Sequence, residues 1–418
     1  MYGLKVKIFN ELFQASGILF LASIFVNLCN LFFWLFMVRN LVPEEYALLN
    51  ALFSLTMILS LPATTVQTVV AKAVSKEFFQ KKYAAIKYFL VHFGKRVLFC
   101  DLLFLLLFAL SSPVIGNFLK SNSIVPVLIT GGFIFFTVIG PLVTGALQGS
   151  QRFLAMAISN SVYGLLKLGL GGVLVFLGFR AVGALLGLCL AALAGFGFSL
   201  FLLPDELTGS AGEGGEKIRM KSVYQYTVPV FLSLLGWMVL TNVDVIMVKH
   251  FFSAQEAGWY SVAQMTGKVV LFLPAVVGVI LFPKMSEAHH QGKTALAYLK
   301  TGLFITGFLS AAAGVFCMLF PMFALRVLTG SRLPQAVSLV PFFCVAMIFY
   351  ALVNQLMFYN LAIHRFTYTA YLVSAAVIQV GLIASFHSTL NMVLYSLVLV
   401  SMILFGIGVF EAVGSLRR

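Results

Sequence analysis

Apolar stretches about as long as a lipid bilayer is thick recur along the whole of this chain. At 1.5 Å rise per residue, a helix needs ~20 apolar residues to cross. Twelve such stretches can be read, at about 16–38, 47–70, 94–114, 124–147, 154–178, 181–203, 223–248, 257–282, 296–320, 335–362, 367–387 and 390–412. Their apolar residues run continuously instead of alternating at period two, which selects helices over a barrel. Only 10% of residues are charged and 61% are hydrophobic, against about 25% charged in ordinary soluble domains. A chain like this has too little polar surface to face water, so the expected fold class is all-α integral membrane, with twelve transmembrane helices. The first stretch is too long for a signal-peptide core and reads as a retained span.

The net charge of +14 raises the question of nucleic acid, and the distribution of charge answers it. Arg39, Lys120, Arg180, Lys249, Arg326 and Arg332 fall in one set of loops, and Lys167 and Lys268 fall inside spans. Every other Lys and Arg lies in the alternate set of loops or at the two ends. Such a bias sets orientation by the positive-inside rule. It places both termini in the cytoplasm and the chain in the cytoplasmic (inner) membrane, and the basic surplus reads as topology, not as a nucleic-acid site. The five cysteines, Cys29, Cys100, Cys189, Cys317 and Cys344, have no metal-like spacing and read as small buried hydrophobes. No Gly-rich nucleotide loop is present, so neither a cofactor nor direct ATP use is expected.

The chain repeats itself. MVRNLVPEEYALL at 37–49 resembles MVKHFFSAQEAGWY at 247–260, ILSLPATTV at 58–66 resembles LFLPAVVGV at 271–279, and GALQGSQRF at 145–153 resembles FYNLAIHRF at 358–366. The offset stays at about 210 residues throughout. Six spans separate the copies, so both run in the same direction, as a parallel repeat about an axis along the membrane normal. This predicts an N-terminal six-helix bundle at 1–203, a polar cytoplasmic linker at 204–221 and a C-terminal six-helix bundle at 222–418. Pro62 falls opposite Pro274, which predicts matched helix bends.

Charged and polar residues inside the spans are costly in hydrocarbon and should face one another or water. Lys167 shares a helical face with Asn160, Tyr163, Gly164 and Gly171, and Ser23, Asn27, Asn30 and Trp34 make a similar stripe on the first span. Ser233, Trp237 and Asp244 mark the seventh span, and Ser261, Gln264 and Lys268 the eighth. By residue count Lys167 and Lys268 lie ~16 Å from the nearer helix end, close to the midplane. Two such cations suit a phosphate or another anion where water is scarce. The candidate substrate-binding set is Lys167, Lys268, Asn160, Tyr163, Gln264, Asn27, Asn30 and Trp237. Trp34, Tyr163 and Trp237 would also offer rings for sugars. Asp244 either balances Lys268 or binds a coupling cation, and Asp101 reads as a local partner of Lys95 and Arg96. No catalytic residue and no metal ligand is expected.

With these residues in hand, 37–72, 145–153 and 241–263 resemble polysaccharide transporters, the group of O-antigen flippases within the multidrug/oligosaccharidyl-lipid/polysaccharide exporter superfamily. The resemblance extends diffusely over the whole chain. It implies two bundles forming a V around a central cavity, alternating access by rocking, and a lipid-linked saccharide as substrate. Membrane lipid and polysaccharide assembly enzymes are then the implied partners. A cation-coupled multidrug exporter is the nearest alternative, although such proteins often carry a carboxylate in the first bundle, and here the first span has only Glu11 at its inner end. A membrane-embedded sugar transferase or polymerase would place acid–base residues on sizeable outer loops. The outer acids Glu44, Glu45 and Glu256 sit instead in short loops at nearly matching repeat positions, and so read as structural. A transporter, not an enzyme, is the expectation.

Overall fold

The computed structural model describes residues 2–207, 221–291, 295–330 and 333–414, and among them every regular element is helical. The first seven α-helices are α1 (Tyr2–Asn40), α2 (Pro43–Leu59), α3 (Pro62–Phe79), α4 (Tyr83–Phe118), α5 (Val125–Gly149), α6 (Phe153–Leu174) and α7 (Arg180–Phe201). The next five are α8 (Lys221–Phe251), α9 (Ala254–Phe272), α10 (Ala275–His290), α11 (Leu296–Leu319) and the short α12 (Pro321–Thr329). The last four are α13 (Pro334–Val337), α14 (Val340–Ala362), α15 (Thr367–Ser385) and α16 (Leu390–Gly414). In hydrocarbon each backbone N–H and C=O needs a partner within its own segment, and the helix supplies one.

Ten of the described helices are long and apolar enough to cross a membrane, or eleven if α2 and α3 are taken as one bent span. One of the ten is the 49-residue Phe153–Phe201, more than twice the ~20 residues that a crossing takes. It doubles back at Val175–Phe179, where Gly178 takes φ 91°, a conformation open to glycine at no steric cost. Beyond the turn, Gly187 meets Gly171 and Gly195 meets Tyr163, so α6 and α7 are antiparallel. That turn separates the expected spans at 154–178 and 181–203, while the long apolar helices among the described residues number ten or eleven against the twelve expected.

Both prolines fall at breaks between helices and not inside them, and a bend is seen at the first pair. The pair α2 and α3 is bent by 40°, and α3 opens on Pro62. Pro274 stands immediately before α10 and separates it from α9. A proline at a helix start forfeits no internal hydrogen bond, because the first N–H groups have no partner there.

Two packing units are present. The first holds Met1–Asn40 and Leu59–Gln225, and the second holds Leu41–Ile58 and Tyr226–Arg418. Thus α2 packs with the later helices, whereas the repeat assigns it to 1–203. Of the expected linker at 204–221, residues 208–220 lie outside the described residues. In the first unit Val66, Val70 and Val74 of α3 pack with Ile86 and Phe89 of α4 and Ala146 of α5. In the second, α14 is the central helix: it packs against α9, α11 and α16 and buries Phe343, Met347 and Tyr350 completely.

Two acids and the cysteines test the local expectations. Glu256 closes a capping box on α9. Its Oε2 accepts from Ser253 N at 3.0 Å, and Ser253 Oγ accepts from Glu256 N at 3.3 Å. The structural reading of that acid therefore holds. Asp101 is buried, with Oδ2 unpartnered, and among the described residues it makes no ion pair with Lys95 or Arg96. They precede it by six and five positions, off the three-to-four spacing that brings helical side chains together. Cys29, Cys317 and Cys344 are buried, but Cys100 is exposed on the face of α4 that also turns Phe99, Leu102 and Leu103 outward.

Candidate functional site

In the first unit the polar residues gather around Lys167. Its helix α6 lies against α1, and Gly164 is small enough for Cys29 of α1 to sit over it. Lys167 is only 4% exposed. Its Nζ donates to Asn30 Oδ1 at 2.6 Å and lies 4.8 Å from the centroid of the Phe33 ring. An amide oxygen and an aromatic face each attract and orient an ammonium. The other members of the predicted stripes are more peripheral. Asn27 and Asn160 are exposed, and Tyr163 packs over Gly195 of α7. Trp34 sets its ring edge to face with Phe33 at 5.4 Å.

In the second unit a buried network converges on Asp244 of α8. Its Oδ2 accepts from Tyr260 Oη at 2.9 Å and from Gln264 Nε2 at 3.0 Å. Gln264 Oε1 in turn accepts from Asn50 Nδ2 of α2 at 3.0 Å. Asp244, Tyr260 and Gln264 are fully buried. Lys268, one turn beyond Gln264, donates to Asn242 Oδ1 at 3.3 Å and attracts the Asp244 carboxylate through space. Among the described residues these two charges form no direct ion pair. The second oxygen, Asp244 Oδ1, is buried and accepts no hydrogen bond. Trp237 is buried edge-on against Tyr350, 6.1 Å between centroids. Tyr350 donates to Gln379 Oε1, whose own amide donates to Leu240 O at 3.0 Å.

The predicted residues thus fall into two clusters. Lys167 and Asn30 meet in one unit, and Asp244, Gln264 and Lys268 meet in the other. Trp237 serves as packing beside the second cluster. Sequence reading missed Asn242, Tyr260 and Asn50. Tyr260 was within reach, since 260, 264 and 268 lie on one helical face. Asn50 carried no such signal, because nothing in the sequence ties α2 to α9. Among the described residues no three His, Cys, Asp or Glu side chains converge as a metal cage.

Comparison with known proteins places this arrangement. The family model for the polysaccharide biosynthesis protein matches residues 12–289, more than half of the chain. The chain belongs to that family. The matched span includes Asn30, Lys167, Asp244 and Lys268 and ends before α11. No curated protein gives a significant match by sequence. Among solved structures the chain resembles an inward-facing multidrug resistance MATE family transporter of the MOP superfamily. There the TM-score is 0.73 at 16% identity, covering 94% of this chain and 96% of that one. It also resembles the lipid II flippase MurJ in an inward closed conformation, with TM-score 0.66 at 15% identity over 96% and 87% of the two chains. A third likeness is to a MOP superfamily transporter from Pyrococcus furiosus, described as having a binding pocket of reverse polarity, with TM-score 0.63 at 17% identity over 97% and 96%. At these identities what is shared is the fold. This member of the polysaccharide biosynthesis protein family is therefore a multi-pass membrane protein with the helical fold of MOP-superfamily transporters.

Proposed function

We propose that this protein is a flippase that moves a lipid-linked oligosaccharide, of the polyprenyl-pyrophosphate type, across the cytoplasmic membrane by alternating access. One observation carries the reading. Lys167 keeps an ammonium group in an apolar helix at a cost of roughly 2.5–3.5 kcal/mol on insertion scales, buried beside Asn30 and Phe33. A cation kept at that cost suits a substrate with an anionic group, which a pyrophosphate-linked headgroup has. Membership of a polysaccharide biosynthesis family and a fold shared with a lipid II flippase support the same substrate class. Lys268 would supply a second positive group, moderated by Asp244. Membrane lipid surrounds the substrate throughout, and the enzymes that assemble the polysaccharide are the proposed partners. In this reading the chain carries no catalytic residue, and both termini face the cytoplasm.

A second reading has its own support. Asp244 leaves Oδ1 without a partner inside a buried network, which suits a proton or a coupling cation and hence a cation-driven multidrug exporter of the same superfamily. Deletion of the gene separates the two. The flippase reading expects lipid-linked saccharide to accumulate on the inner leaflet, reversed by the native chain but not by Lys167→Ala or Lys268→Ala at equal abundance in the membrane. Unchanged saccharide distribution, together with loss of cation-dependent dye efflux, would establish the exporter instead.

A further inference from the structure

A second polar site lies in the first unit, away from Lys167. Residues 64–75 of α3 and the end of α5 flank an open cavity of about 590 Å³ lined by Gln67, Lys72, Ser75, Gln148, Gln151 and Phe153, among others. That volume is within the ~300–1,000 Å³ of ordinary small-ligand pockets. Two helices come together there because Gly149 has no side chain: a Cβ on it would lie 2.7 Å from Ala71 O and 2.7 Å from Val74 Cβ. The wall is braced by Gln67 Nε2 donating to Gln148 Oε1 at 3.1 Å. Two threonines on the same face of α3 turn their hydroxyl protons back to the backbone, Thr64 to Leu61 O at 2.9 Å and Thr68 to Thr64 O at 2.8 Å. Their oxygens are thereby left as acceptors toward the cavity.

The inventory of free groups defines the ligand. Gln148 retains its NH₂ donors, Gln67 retains an acceptor oxygen, and the Gln151 amide and Ser75 hydroxyl are committed to no other described residue. Lys72 is exposed and has no ion-pair partner among the described residues, and no acid lines the cavity. Neutral amides that both donate and accept match the vicinal hydroxyls of a sugar, each of which does the same. Phe153 adds an aromatic face for the C–H side of a pyranose ring, and Lys72 adds one point charge. We infer that this α3–α5 pocket is a saccharide subsite, taking a hydroxyl-rich sugar whose single anionic group meets Lys72. It rests on the transport reading for the source of that sugar, but binding at the pocket stands or falls separately.

Gln151 offers a clean probe. It sits at φ 59°, a left-handed conformation that glycine adopts without strain, so Gln151→Gly deletes the amide without burdening the fold. In a Cys100→Ser background, Ser75→Cys places a thiol in the pocket, and its alkylation by a small maleimide is followed in purified protein. With glucose 1-phosphate at roughly 10 mM, and a site with Kd of ~1 mM, labelling should slow about tenfold. The protection should be lost when Gln151→Gly is combined with Gln148→Ala. With Lys72→Gln, protection by methyl glucoside should persist while the advantage of the phosphate disappears. The inference is overturned if glucose 1-phosphate gives no protection, if inorganic phosphate protects equally well, or if protection survives loss of both amides. Protection without any transport of lipid-linked saccharide would sink the transport reading and leave the pocket standing. Transport that depends on Lys167, with no protection at Ser75→Cys, would do the reverse.

Discussion

Asn50 Nδ2 donates to Gln264 Oε1 at 3.0 Å, so a helix near the start of the chain ends in the hydrogen-bond network of an aspartate almost two hundred residues later. Gln264 is the relay: one end of its amide is spent on Asn50 and the other on Asp244. All three groups are buried, and a buried amide left unpaired costs about 1–3 kcal/mol. Asn50→Ala should therefore lower stability by about that amount, read as a fall in the thermal midpoint of the purified protein. An unchanged midpoint would mean that Gln264 finds a substitute partner.

Lys167 predicts the opposite pairing of stability and function. Lys167→Met keeps the length of the side chain and removes a charge that costs roughly 2.5–3.5 kcal/mol at a helix centre. The thermal midpoint should stay level or rise. Transport should fall about tenfold or more, since a charge-assisted contact contributes ~1.5–3 kcal/mol and ~1.4 kcal/mol is a factor of ten. Full transport by the methionine variant would remove the ammonium from the substrate path.

Asp244 and Lys268 should be energetically coupled although they do not touch. Asp244→Asn keeps an acceptor for Tyr260 and Gln264 while removing the charge, and Lys268→Gln does the complementary thing. A double-mutant cycle on the thermal midpoint should return a coupling of about 0.5–3 kcal/mol, favourable in the native pair. Strict additivity would show that each charge is balanced by something else.

Two glycines of the α6–α7 hairpin, Gly187 on α7 and Gly169 on α6, predict contrasting outcomes. A Cβ on Gly187 would lie 2.4 Å from Gly171 Cα, and backbone cannot move aside as a flexible side chain does. Gly187→Val and, more mildly, Gly187→Ala should destabilise by about 1–3 kcal/mol or prevent folding. Gly169 has nothing within 4 Å of its would-be Cβ, so Gly169→Ala should be neutral or stabilising by up to ~1 kcal/mol through helix propensity. Yield of monodisperse protein in detergent, compared across these variants, decides the matter.

The spans and the breaks at Pro62 and Pro274 were legible in the sequence, because length and proline act locally. Periodicity marks which residues share a face, and so the Asp244, Gln264 and Lys268 cluster could be anticipated in part. It does not say which face meets which. For that reason Asn50 and Asn242 went unseen and Trp237 was read as a sugar platform, whereas its ring is packed against Tyr350. Asp101 misled for a related reason: neighbours in sequence are not neighbours on a helix. The grouping of α2 with the later helices also lay beyond a repeat-based reading, since internal similarity records how a chain was duplicated and is silent on which surfaces then pack.

The contact of Gly171 with Gly187 fixes more than a hairpin. Lys167 stands one helical turn before Gly171, beside the spot where two main chains abut with no side chain between them. A side chain on Gly187 would have to push the two helices apart. The Lys167 backbone is thus anchored at a tight junction, while Asn30 and Phe33 set the aim of its ammonium.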